Sequence, residues 1–213
     1  MTEQIKVGRT IHVIGNGDMA PLYHLKKREG MKVTCNLPPF PVPDAWCTFM
    51  VDFKIMHAIT QQQLDVPGEW IIGMRPKIWM DKNPTFYIQR AHQVKEIYTE
   101  LPKYAANYTD FNCGHMAVYY CLRKLNASDV HLYGFDSVFD FNLRSCSDLY
   151  LSSARDPVHS NKLKDNWRPL WYEMFKEYKD VNFTFYHNHS NIKMKPLPNV
   201  KIEVGDPKKV KMD

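Results

Sequence analysis

The sequence predicts an α/β fold, a single Rossmann-like domain with a mostly parallel sheet, helices on both faces and a small lid. Three observations lead there. Short apolar runs alternate with stretches of helical spacing, as strand-helix-strand units require. Five of those runs stop at a polar group: Ile11 to Ile14 at Gly15-Asn16-Gly17-Asp18, Met31 to Cys35 at Asn36, Trp46 to Val51 at Asp52, Val130 to Gly134 at Asp136, and Val181 to Tyr186 at His187. In an open parallel sheet the ligand crevice lies outside the carboxyl ends of the strands, so the five ends point at one site. Finally, 213 residues with 44% hydrophobic and 13% aromatic composition suffice for one full core.

Along the chain, Asp18 is positioned to cap a first helix with Pro21 in its opening turn, ending near Arg28 before Glu29-Gly30. The Gly-Asn-Gly-Asp turn ahead of it reads as a nest of backbone N–H groups for part of a nucleotide; it is shorter than the dinucleotide fingerprint. The proline-rich loop 37–43 leads into the third strand, and Glu69 to Met74 forms a weaker fourth. From Phe86 onward Ala91, Val94, Tyr98 and Leu101 fall at helical spacing, predicting a helix closed by Pro102. Asn112, Cys113 and Gly114 open a helix from Met116 to Leu125 that is apolar or amphipathic on every side, and the strand 129–133 follows. Residues 138–158, rich in Asp, Ser and Arg, predict a lid. Trp167, Leu170, Trp171, Met174, Phe175 and Tyr178 then mark an amphipathic helix, and residues 190–213 a basic tail.

The net charge of +5 is concentrated in that tail, at Lys193, Lys195, Lys201, Lys208, Lys209 and Lys211, and favours polyanions mildly. Five cysteines without CxxC spacing suit reduced thiols. No apolar run approaches the roughly 18 residues of a membrane span. Met1 to Thr10 has no apolar h-region, so a cytoplasmic location is expected.

A helix N-terminus leaves N–H groups unpaired and carries partial positive charge, so 112–114 reads as a place for phosphate or carboxylate. His159, between the lid and the last helix, has the ordinary pKa of a base near neutrality. Asp52 is the next candidate for that role. A glycosidase carboxylate pair, a Walker loop and a zinc-type ligand set are not evident. His187-Asn-His189 could bind a metal but is set aside on the expectation that the two side chains diverge at the strand end, leaving no metal ligand assigned.

Taken in order and spacing, Gly15-Asn16-Gly17, Cys35-Asn36, Asn112-Cys113-Gly114, Gly134-Phe135-Asp136 and His159-Ser160 resemble the bacterial lipooligosaccharide sialyltransferases over about Ile11 to His187. The resemblance implies a metal-independent, inverting glycosyltransferase using a CMP- or UDP-linked sugar as substrate, without a separate cofactor. It implies that Asn16 and Asn36 contact nucleotide and sugar and that Asn112, Cys113 and Gly114 hold the phosphate. Gly134, Phe135 and Asp136 would frame base and ribose, and His159 would deprotonate the acceptor hydroxyl. The family's pair of lid tyrosines has no counterpart near Val138 and Phe139. The acceptor is open between a glycan and a hydroxymethylated base in DNA, and homo-oligomerisation is left open. Two other readings stand beside this one: a pterin diphosphokinase-like transferase, and a non-catalytic nucleotide or nucleic-acid binder.

Overall fold

The apolar runs assemble into one eight-stranded sheet in the computed structural model, which describes residues 8–140 and 163–210. The strands are β1 (Arg9–Ile14), β2 (Met31–Cys35), β3 (Ala45–Met50), β4 (Trp70–Ile72), β5 (Val94–Ile97), β6 (Ala127–Tyr133), β7 (Asn182–His187) and β8 (Val200–Val204). Every pairing is parallel, and the order is β5-β4-β3-β2-β1-β6-β7-β8. The chain therefore builds outward from β1 to β5, then crosses back and builds outward from β6 to β8. The reversal lies between β1 and β6, where a doubly wound sheet opens its crevice.

Strand parity divides the core. Ile11, Val13, Val130, Leu132, Phe183 and Phe185 face one side, under α4 (Cys113–Lys124) and α5 (Arg168–Glu177). Ile14, Tyr133 and Tyr186 face the other, under a 3₁₀ segment Ala20–Leu25. Met50, Trp70 and Ile72 pack with Ile55, Met56 and Ile59 of α1 (Phe53–Thr60), Met80 of α2 (Met74–Lys82) and Phe86 of α3 (Pro84–Arg90). Helices thus cover both faces, as expected of an all-parallel sheet buried on both sides. The second face also carries polar groups: His12 stacks on His131 at 4.8 Å, and His12 Nε2 donates to the Glu29 carbonyl at 2.8 Å.

Three sequence expectations need correction. The helix read through residues 86–101 stops at Arg90, and Val94–Ile97 is strand β5, paired with Trp70–Ile72. Its apolar spacing fits a helix, but β4 offers an open edge, and pairing there satisfies the backbone of a Val-Lys-Glu-Ile segment with one half-buried face. The tail is not loose either: Val200–Val204 pairs with β7 from Phe183 to His187. The first helix is only the 3₁₀ segment Ala20–Leu25, with Met19 rather than Asp18 at its N-cap and no capping by that residue's own side chain. Lid 138–158 falls outside the described residues from position 141 on; its first residues follow a 3₁₀ turn at Asp136–Val138.

Candidate functional site at the β1 and β6 strand ends

At the reversal point the two strand ends are stitched together by main-chain bonds. Gly15 N–H donates to the Tyr133 carbonyl at 2.8 Å, and Gly17 N–H to the Gly134 carbonyl at 3.2 Å. Gly134 has φ +72°, and a Cβ there would stand 2.8 Å from that of Ala20, so only glycine lets β6 turn this close to the first helical segment. The expected N–H nest is consequently occupied from within. Met19 N–H donates to Asp136 Oδ2 at 3.3 Å, so a carboxylate from β6 provides the cap that Asp18 was expected to supply.

Asp136 is 8% exposed, and its second oxygen, Oδ1, is buried without a hydrogen-bond partner. Burial disfavours the charged form and pushes the carboxyl up to about 7, against the help of the Met19 and Asp18 N–H groups. A buried, half-satisfied carboxyl at a strand-end crevice is the kind of group that binding sites maintain at a cost to stability. Asn16 is half-buried and Asp18 is exposed.

The neighbouring α4 terminus has the opposite character. Asn112 Oδ1 accepts the His115 N–H at 3.0 Å, while His115 Nδ1 accepts the Asn112 N–H at 3.3 Å, a reciprocal capping box. His115 Nε2 donates to the Trp167 carbonyl at 3.1 Å, and burial lowers the ring to about 3. The Cys113 thiol donates to the Phe49 carbonyl at 3.0 Å and is buried. Only the Cys113 and Gly114 N–H groups of the first turn lie outside the box, and a side chain at Gly114 would run into the Phe135 ring. Phe135 thus leans across the start of α4, against Trp171 and Phe185.

Other expected residues serve strand ends farther out. Asn36, at φ 52°, accepts the Val51 N–H at 3.3 Å and donates its own N–H to Phe49, tying β2 to the end of β3. Asp52 is the N-cap of α1, accepting the Lys54 N–H at 3.1 Å. Starting at Leu37, next to Asn36, a cavity of about 570 Å³ runs beneath the proline-rich loop, floored by Thr34 and Thr48. His159 lies outside the described residues. Thus Gly15, Asn16, Gly17, Gly134, Phe135, Asp136, Asn112, Cys113 and Gly114 gather at one end of the sheet, with Asn36 and Asp52 one and two strands away.

One group expected to diverge converges instead. His187 and His189 converge with Asp140, their ligand atoms all within 4.8 Å of one another. Strand β7 ends at His187 and a bend follows; residues two apart in an extended segment share a face, so the two rings stay on one side and meet Asp140 there. The only sequence signal was the His-x-His spacing itself; Asp140 carried none. Comparison with protein-family models, curated proteins and solved structures gives no match. Among the described residues no helix is long and apolar enough to cross a membrane.

Proposed function

We propose that this chain is a nucleotide-sugar-dependent glycosyltransferase whose donor occupies the crevice between the ends of β1 and β6. The observation that carries the reading is the buried, unpartnered Oδ1 of Asp136 at the point where the strand order reverses. A ribose hydroxyl or base amine of the donor would supply the missing hydrogen bond, and its arrival would favour the ionised carboxylate. The Cys113 and Gly114 N–H groups, at the positive end of α4, are the groups offered to the leaving phosphate. The family resemblance implies that the reaction inverts the anomeric centre and needs no metal at the phosphate. The acceptor, a glycan or a modified base in DNA, loses its proton to a base, and the family resemblance assigns that role to His159.

The test is a thermal-shift and calorimetric screen of CMP-, UDP-, GDP- and dTDP-sugars against wild type and Asp136→Asn. Native-state binding raises stability by mass action, so one donor class should raise the wild-type melting temperature and do so less in Asp136→Asn. No stabilisation by any donor, or equal stabilisation of both proteins, would remove the reading. For the base, His159→Ala should lower kcat by about 10²- to 10⁴-fold with donor binding intact. Unchanged turnover in that variant moves the role elsewhere.

A further inference from the structure

His187 is 1% exposed, and its Nε2 is buried without a hydrogen-bond partner. That atom lies 3.5 Å from Asp140 Oδ2, while His189 Nε2 lies 3.4 Å from Asp140 Oδ1. Both separations are too long for good hydrogen bonds. The two distances end on different oxygens of the carboxylate, and one ligand atom from each of the three residues lies within 4.8 Å of the others, so a metal bonded at about 2.0 to 2.1 Å would need only a small inward movement of the three side chains. The rings are 4.3 Å apart, and Phe139 stacks on His187 at 4.0 Å, fixing its plane. We propose that Asp140, His187 and His189, the three candidate ligands among the described residues, bind one divalent transition-metal ion of the zinc type.

Each ligand is held by its surroundings. Arg168 donates through its guanidinium to the carbonyls of Ser137 and Asp140, at 2.9 and 3.0 Å, which fixes the backbone beneath the carboxylate. Lys193 N–H donates to the Val138 carbonyl at 2.9 Å, holding the segment after His189 against the turn that bears Asp140. The side chains of His189 and Asp140 are 39% and 44% exposed, which gives an ion its entry path. Two imidazoles and one carboxylate suit zinc-like ions, whereas magnesium and calcium require oxygen shells.

The Nδ1 atoms define what binding must change. His187 Nδ1 accepts the His189 N–H at 3.3 Å, and His189 Nδ1 accepts the Asn191 N–H at 3.2 Å. Without metal the ring protons therefore sit on Nε2, facing the carboxylate. With metal on Nε2 they move to Nδ1, and the two backbone N–H groups turn away. Residues 188, 190 and 191 are exposed, and the strand pairing ends at His187, so the bend is free of the sheet.

The experiment is a titration of the chelator-stripped full chain with Zn²⁺ against a chromophoric competitor, with Co²⁺ as a spectroscopic probe. One equivalent should bind with a tetrahedral cobalt spectrum. His189→Ala and Asp140→Asn should each weaken binding by at least about tenfold, the loss that even outer-shell changes cause. His92→Ala, an exposed histidine elsewhere, should bind as wild type does. Nitrogen NMR of the wild type should show the ring protons of His187 and His189 moving from Nε2 to Nδ1 on zinc addition, a readout independent of any variant's folding. Failure of the wild type to bind one equivalent, unchanged affinity in both ligand variants, or ring protons that stay on Nε2 would overturn the site. These readouts are separate from donor turnover, so this proposal and the transferase reading fail independently.

Discussion

The end of β6 and the start of α4 meet at the Phe135 ring, yet one leaves a polar group unsatisfied and the other closes on itself. At α4 the residues that resemble a phosphate-binding turn spend most of their capacity inside the chain: Asn112 caps, His115 returns the bond, and Cys113 donates to β3. At β6, Asp136 has one oxygen engaged by Met19 and one buried with nothing. Turn chemistry alone does not separate a ligand site from a structural cap. The hydrogen-bond census around the turn does.

The largest expected effect lies on the closed side. His115→Ala removes a fully buried ring packed on Trp171 at 4.4 Å, half of the capping box, and the donor to Trp167. Cavity and lost partner together should cost about 3 to 5 kcal/mol by chemical denaturation at pH 7.5. The folded pKa of about 3 lies below the unfolded 6.5, so this stability is present above about pH 6.5 and fades as pH falls towards 3. The difference between wild type and variant should shrink over that window. A loss below about 1 kcal/mol would mean the cap is not what holds α4 in place.

On the open side the sign reverses. The Asp136 carboxyl, raised from 3.8 to about 7, makes the folded state less stable as pH rises through that interval. Without ligand, Asp136→Asn should therefore be more stable than wild type at pH 8, by an amount on the order of a few kcal/mol. The gain should disappear near pH 4. Denaturant midpoints at the two pH values check this, and a destabilised variant at pH 8 would show that the carboxylate is satisfied after all.

Asn112→Ala should cost about 1 kcal/mol, the ordinary worth of an N-cap. If the α4 terminus also holds the donor phosphate, donor affinity falls as well; if affinity is unchanged, the terminus is structural and the comparison sharpens. The smallest effect concerns the basic end of the chain. Deleting the residues after Pro198 would remove β8, so charge substitution is the cleaner probe of DNA binding. Lys208→Glu with Lys209→Glu, both exposed, should weaken binding to double-stranded DNA and flatten its salt dependence by about two units of slope, with the melting temperature unchanged. Identical salt slopes would remove the electrostatic reason for a DNA acceptor.

By itself the sequence determined the elements whose signal is local. β1, β2, β3, β6 and β7 were legible because continuous apolar runs have no other place in a parallel sheet, and α4 and α5 because their apolar residues repeat at helical period. The gathering of Gly15, Gly134 and Asp136 followed from the rule for strand ends, so the position of the candidate site was legible too. Tertiary structure decided what depends on partners distant in sequence. β5 and β8 are strands because β4 and β7 offer them an edge, which no property of Val94–Ile97 or Val200–Val204 alone reveals. Asp136 caps the segment after β1 only because the sheet order puts β6 beside it. His187 and His189 meet Asp140 only because the chain bends at the end of β7 and returns across the turn that follows β6. Periodicity fixes which face a residue takes along an element, but where an element stops, and which buried atoms are left without a partner, is settled by the packing of the whole chain.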